Sequence, residues 1–201
     1  MRRQSRAGVL AVAAVATATA AGAGCAATTV TPGEPNRPAP PAAAAAQLPP
    51  RPAELRVDEV DPCTLLTPQQ QQALGIDSSP RPGTGSSRGE PACHFDHGQS
   101  EPFYGFLIAV LPFEGAQAWL TGSRAAEARV LDPVAGFGAV EVRSPDGAAA
   151  VTDCSVIVDV AAGQSLDAYF ESGASGAFTQ DEQCAKARQA AEAATRTLLA
   201  G

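Results

Sequence analysis

Apolar and polar positions change rhythm several times along this chain, and each change marks a predicted element. Thr67 stands before Pro68 and three residues before Gln70, the pattern of a capping box with proline at the first helical position. A short helix is therefore predicted over residues 69–74, stopping at Gly75. Residues 77–91 are rich in Ser, Gly and Pro and read as a loop. Residues 92–97 read as a short strand. Residues 103–111 form an apolar run of strand length, closed by Pro112. Residues 114–129 read as a helix held by Trp119 and Leu120 and weakened at Gly122 and Ser123. A glycine-punctuated turn or strand over 134–140 leads to residues 141–143, and Ser144-Pro145-Asp146-Gly147 is a turn. Two further strands, 148–159 and 165–170, meet through a hairpin at Ala162-Gly163-Gln164. The last element is a helix over 181–199. It places Cys184, Ala187, Ala191, Ala194 and Leu198 on one face, with Glu182/Lys186 and Glu192/Arg196 as outer pairs. Strands joined by short turns imply antiparallel pairing. The predicted class is α+β: a two-layer, disulfide-stapled domain, mainly antiparallel sheet with helices packed on one face.

The first 57 residues follow a different pattern. Arg2, Arg3 and Arg6 precede an uncharged stretch of Ala, Val and Thr that runs to Gly24, as in a signal peptide. The stretch ends Gly22-Ala23-Gly24-Cys25, similar to a bacterial lipobox, where the cysteine thiol takes a diacylglycerol and becomes the new N-terminus. Gly22 departs from the leucine usual three before that cysteine, and an ordinary signal cut nearby, giving a secreted form, is the alternative. Residues 26–57 hold eight prolines and the run Ala42 to Ala46. Proline removes backbone donors and favours an extended chain. This segment reads as a disordered spacer whose 32 residues span about 100 Å at ~3.1 Å per residue. The folded domain is expected over 58–201.

Charge narrows the partners. Without Arg2, Arg3 and Arg6 the chain keeps 11 basic and 21 acidic residues, a net charge of −10 with a single lysine, Lys186. That composition has no basic footprint for nucleic acid and no polybasic run for anionic lipid. With Cys25 assigned to the export signal, four cysteines remain: Cys63, Cys93, Cys154 and Cys184. In an exported domain they read as two disulfides, and four cysteines allow three pairings.

The run Asp61-Pro62-Cys63-Thr64-Leu65-Leu66-Thr67-Pro68, ending in Leu74-Gly75, resembles the start of an actinobacterial lipoprotein family, domain of unknown function 3558. Cys93 stands two before an aromatic, Phe95, where that family more often has Trp. Val134-Ala135-Gly136-Phe137-Gly138, Cys154-Ser155-Val156 and Gln183-Cys184-Ala185-Lys186-Ala187 match in order. The resemblance spans about residues 58–200. It implies a cell-envelope lipoprotein of unknown activity and brings no catalytic residues with it.

Of the three pairings we expect Cys63 with Cys93 and Cys154 with Cys184. The first ties the early helix to the first strand; the second clips the last helix onto the sheet. Each closes a loop of about 30 residues, worth roughly 3 kcal/mol in the chain-entropy model.

Other chemistry is sparse. Cys93-His94-Phe95-Asp96-His97 holds metal-ligand residue types, but in a strand His94 and His97 point to opposite faces, so no metal is expected. A serine triad lacks its motif, and Ser172 and Ser175 lie in a loop-like stretch. Gly136-Phe137-Gly138 lacks the third glycine of a dinucleotide loop, and no cofactor is expected. Asp132, Glu141, Asp146, Asp153, Asp159 and Asp167 are scattered carboxylates, mostly read as solvated faces of strands and turns. Phe103, Tyr104, Phe106, Phe113, Trp119, Phe137, Tyr169 and Phe170 supply the apolar bulk, mostly core, with a subset free to line a groove. The expectation is a non-enzymatic binding module on the extracytoplasmic face of the membrane, held there by lipid. Its partner would be an envelope protein, a cell-wall component or a small apolar ligand. Two alternatives compete: a cell-wall hydrolase working through carboxylates, and a purely structural accessory lipoprotein. An apolar cleft with few polar groups favours binding; two facing carboxylates favour hydrolysis.

Overall fold

The computed structural model describes residues 46–85, 89–121, 128–143, 153–173 and 176–201. Seven strands form one antiparallel sheet: β1 (Arg81–Thr84), β2 (Pro91–His97), β3 (Tyr104–Leu111), β4 (Ala128–Val134), β5 (Phe137–Arg143), β6 (Asp153–Ala161) and β7 (Gln164–Ser172). Their spatial order is β1-β2-β3-β7-β6-β5-β4. The chain thus builds one meander, crosses to the far edge, and returns as a second meander whose last strand pairs with β3.

Among the described residues two α-helices lie on one face: α1 (Pro68–Ala73) and α2 (Gln180–Ala200). Both begin with a full capping box, Thr67 with Gln70 and Thr179 with Glu182. Each box gives partners to backbone donors that a helix start leaves open. Gly75, at φ +76°, ends α1 as its sequence predicts. Along α2, Cys184, Ala187, Ala190, Ala191 and Ala194 are buried against Phe106, Val156, Val158 and Phe170. Alanines bring the helix close to the sheet, and the aromatic rings fill the volume they leave. Of the predicted outer pairs, Glu192–Arg196 forms at 2.6 Å. Lys186 instead sets its ammonium 4.7 Å from the Tyr104 ring centroid and 5.3 Å from that of Phe178.

The architecture is the α+β class read from the sequence, with three local differences. Residues 77–91 contain β1, which pairs with β2 from Arg81↔His94 to Thr84↔Pro91. Arg-Pro-Gly-Thr carries no alternation of its own, and Pro82 is tolerated because an edge strand leaves its outward-facing N–H positions without a ladder partner. Of the helix expected over 114–129, the described residues form a short 3-10 helix, Ala116–Leu120, and Ala128 and Arg129 already belong to β4, while residues 122–127, with the weak points Gly122 and Ser123, lie outside the described residues. Ala116 and Trp119, three apart, share one face of such a turn and bury it on the sheet face opposite α2, with Ala109, Leu111, Val140 and Ile157. The predicted turn at 144–147 and the start of the strand at 148–152 lie outside the described residues. The glycine pair resolves into a two-residue hairpin: Ala135 (φ 48°) and Gly136 (φ 89°) join β4 to β5, with Val134 opposite Phe137.

The third difference is the domain's beginning. Residues 46–57, read as the end of the spacer, pack on the domain as a strap. Leu55 N–H donates to the Val160 carbonyl, and Val57, fully buried, donates to Gln164 Oε1. Gln117 reads the strap from the other side, accepting from Leu48 N–H and donating to the Ala46 carbonyl. Arg51 bonds Asp159 at 2.7 Å and Glu54 at 2.8 Å. Proline cannot donate to a ladder, so the strap is held instead by the Val160 carbonyl and by side chains of the domain, partners its own composition does not announce. Gly138 makes room for it: a Cβ there would stand 3.0 Å from both Leu48 and Pro49. Gly138→Val is expected to lift the strap, at a cost of about 1–3 kcal/mol for overpacking. Limited proteolysis should then cut within residues 46–57; a cleavage pattern identical to wild type would contradict the packing.

Candidate functional site

Both predicted disulfides are present, Cys63–Cys93 and Cys154–Cys184, each spanning 30 residues. All four cysteines thus serve as staples, while Cys25 lies outside the described residues. Glu141, Cys154 and Cys184 group their ligand-type atoms within 4.8 Å, but the two sulfurs are bonded to each other and offer no thiolate. The histidines of β2 go to different neighbours. His94 lies over Gly83 of β1. His97 sets Nδ1 2.7 Å from the Gly75 carbonyl and 3.0 Å from Asp77, and stacks on Tyr104. Bonds from the Gly98 backbone N–H hold the Asp77 carboxyl below its ordinary range.

The scattered carboxylates take separate roles. Asp159 holds the strap through Arg51, and Asp153 accepts a 3.0 Å bond from the Tyr169 hydroxyl. Asp153 stands opposite Glu171 in the β6–β7 register. The carbonyl of Asp132 receives Arg188, and Glu141 is held by two arginines. Asp146 and Ser175 lie outside the described residues, and Ser172 closes β7.

Asp167 is the carboxylate whose chemistry is most altered. It sits mid-sheet on β7, between Ala109 of β3 and Ile157 of β6, with Oδ1 buried and without a hydrogen-bond partner among the described residues. Burial pushes its carboxyl up to about 7; a bond from Ser155 opposes the rise and the charge of Glu90 adds to it. An unfolded chain releases this proton near pH 4, the folded chain only near 7, so between them the folded state holds the extra proton. Stability should therefore fall as pH rises through that window, by about 1.4 kcal/mol per pH unit from this group. Asp167→Asn should remove that slope in urea melts taken between pH 4.5 and 8; an unchanged slope would contradict the assignment.

The surface feature that stands out is aromatic. Phe95, Phe106, Phe137 and Phe170 are core, as expected, but Phe113 is 89% exposed. Pro112 ends β3, and the chain turns there toward the crossover, carrying Phe113 outward. Together with Glu90, Pro91, Leu111, Pro112 and Glu114, Phe113 lines a mostly apolar cleft of about 210 Å³. An exposed ring beside an apolar cleft is the arrangement in which a partner gains most by covering surface. The sequence placed Phe113 among the apolar bulk, and only its position just after a strand-ending proline hints that it leaves the core.

Fold and surface together define a disulfide-stapled α+β domain with an aromatic-lipped cleft and, among the described residues, no helix long and apolar enough to cross a membrane. The chain belongs to the family described as protein of unknown function DUF3558, whose model matches residues 20–197. No curated protein and no solved structure matches it.

Proposed function

We propose that this protein is a lipid-anchored module of the extracytoplasmic face of the membrane that binds an envelope partner without chemically altering it. The observation that carries this reading is Phe113, the most exposed large hydrophobic side chain described, at the lip of an apolar cleft. Covering an exposed aromatic ring contributes about 2–3 kcal/mol, enough to make it an anchor residue. The signal-like start, Cys25 and the proline-rich spacer support placement outside the cytoplasm, and two disulfides suit an oxidising compartment. The test is a photo-reactive amino acid in place of Phe113 in the full-length chain, irradiated in intact cells. One dominant adduct, absent when the photo-reactive residue stands instead at exposed Arg196, supports the reading; identical adducts from both positions contradict it.

One observation favours hydrolysis. Asp167, kept protonated toward neutral pH, has the property of a general acid. Its place under the sheet's second layer, with Ala109 and Ile157 as neighbours, suits burial better than substrate access. Release of soluble fragments from purified cell wall, abolished by Asp167→Asn, would move the assignment to that class.

A further inference from the structure

Three arginines that lie far apart in sequence converge on the side of the domain formed by β4, β5 and α2. Arg129, Arg143 and Arg188 line one cleft of about 420 Å³ together with Glu141 and Asp181. Glu141 is its organising residue. Its side chain is 5% exposed and accepts the Nε–H of Arg129 at 2.7 Å and of Arg143 at 2.6 Å on the same oxygen. Arg143 also reaches Asp181 at 2.9 Å, and Arg188 makes one long 3.4 Å bond to the Asp132 carbonyl.

These bonds occupy only part of each guanidinium. Arg129 spends its Nε edge and keeps both Nη groups without a partner among the described residues. Arg143 spends Nε and one Nη, and Arg188 spends one Nη. Two of the three forks are thus held in place by a buried carboxylate while donors remain for a ligand, which lowers the entropy lost on binding. The local charge balance is three guanidinium groups against Glu141 and Asp181, a net of +1. That value stands out on a chain whose net charge is −10 once Arg2, Arg3 and Arg6 are set aside.

We propose that this cleft is an oxyanion site that takes a phosphodiester group. A single negative charge matches the local excess. Guanidinium forks bind such oxygens in pairs, and donors arriving from a helix and two strands suit a tetrahedral centre better than a flat carboxylate. The source is either a soluble phosphodiester or the headgroup of an anionic lipid, and the chemistry recognised is the same. The site shares no residue with the Phe113 cleft and does not depend on that reading.

The test uses the full chain with its disulfides intact and Cys25→Ala, titrated with dimethyl phosphate while arginine side-chain Nε–H signals are followed by NMR. Saturable shifts at Arg129, Arg143 and Arg188 are expected, weakened at least tenfold by Arg188→Ala. Arg196→Ala, on the same helix but paired with Glu192, should leave them unchanged. Vesicles of phosphatidylcholine with and without phosphatidylglycerol separate the sources: retention that needs phosphatidylglycerol and is lost with Arg188→Ala assigns the headgroup. Saturation by dimethyl phosphate without such retention assigns a soluble ligand. Linear, non-saturating shifts, equal response to acetate, or equal weakening by both variants overturn the proposal.

Discussion

Phe170→Ala should cost about 3–5 kcal/mol of stability, the usual loss for a fully buried aromatic ring that leaves a cavity. Phe170 is fully buried on β7 at the centre of an aromatic cluster. Its ring centroid lies 5.3 Å from Phe106, 5.4 Å from Phe178 and 5.6 Å from Tyr104, and two of the three contacts are edge-on. The cavity cannot close easily, because the facing helix surface is alanine and cannot extend into it. Lys186, above the same rings, would lose part of the surface that holds its ammonium. Urea denaturation of wild type and variant gives the difference directly. A loss below about 1 kcal/mol would mean that the cluster is not the core of the helix-bearing layer.

Removing the Cys154–Cys184 bond should have the second largest effect. Cys154 lies on β6 and Cys184 in the first turns of α2, and both are buried. The bond closes a loop of 30 residues, whose constraint on the unfolded chain is worth about 3 kcal/mol. For a domain of this size that corresponds to a fall in melting temperature of about 6–12 °C. The double variant Cys154→Ala/Cys184→Ala is the cleaner test, since it leaves no free thiol. Hydrogen exchange should also quicken first along α2, because the sheet retains its ladder while the helix relies on small alanine contacts. Protection of α2 equal to wild type would contradict the role of this bond as the helix's clip.

What was readable in the sequence follows from where the determining interactions lie. The capping box at Thr67 and Gln70 is local, so α1 was legible, as was the alanine face of α2. The apolar run of β3 and the hairpin between β6 and β7 were legible for the same reason. The four domain cysteines were legible as two disulfides, but their pairing stayed one choice among three until the structure joined Cys63 to Cys93 and Cys154 to Cys184. By contrast, β1 exists because β2 offers it an edge, and nothing in Arg-Pro-Gly-Thr states that. The strap hides behind its prolines, since its partners Gln117, Asp159, Val160 and Gln164 lie 69 to 108 residues away in the case of Gln117 and Asp159, and comparably far for the others. Trp119 correctly marked a buried position, but a spacing of three serves a 3-10 turn as well as a helix. The arginine cleft was invisible for the strongest form of that reason: Arg129, Arg143 and Arg188 meet only when β4, β5 and α2 are assembled.

The strap also shortens the proposed tether. With residues 46–57 packed on the domain, 20 residues separate Cys25 from the strap, about 60 Å if extended at ~3.1 Å per residue.

The most direct measurement is intact-mass and peptide mass spectrometry of the protein recovered from the membrane fraction of its own cells, without reduction. The expected result is a mature chain beginning at Cys25 with a diacylglycerol adduct on its sulfur, and the peptides of Cys63 and Cys154 linked to those of Cys93 and Cys184 respectively. A chain that begins elsewhere with Cys25 absent or unmodified, or four free domain thiols, would contradict it.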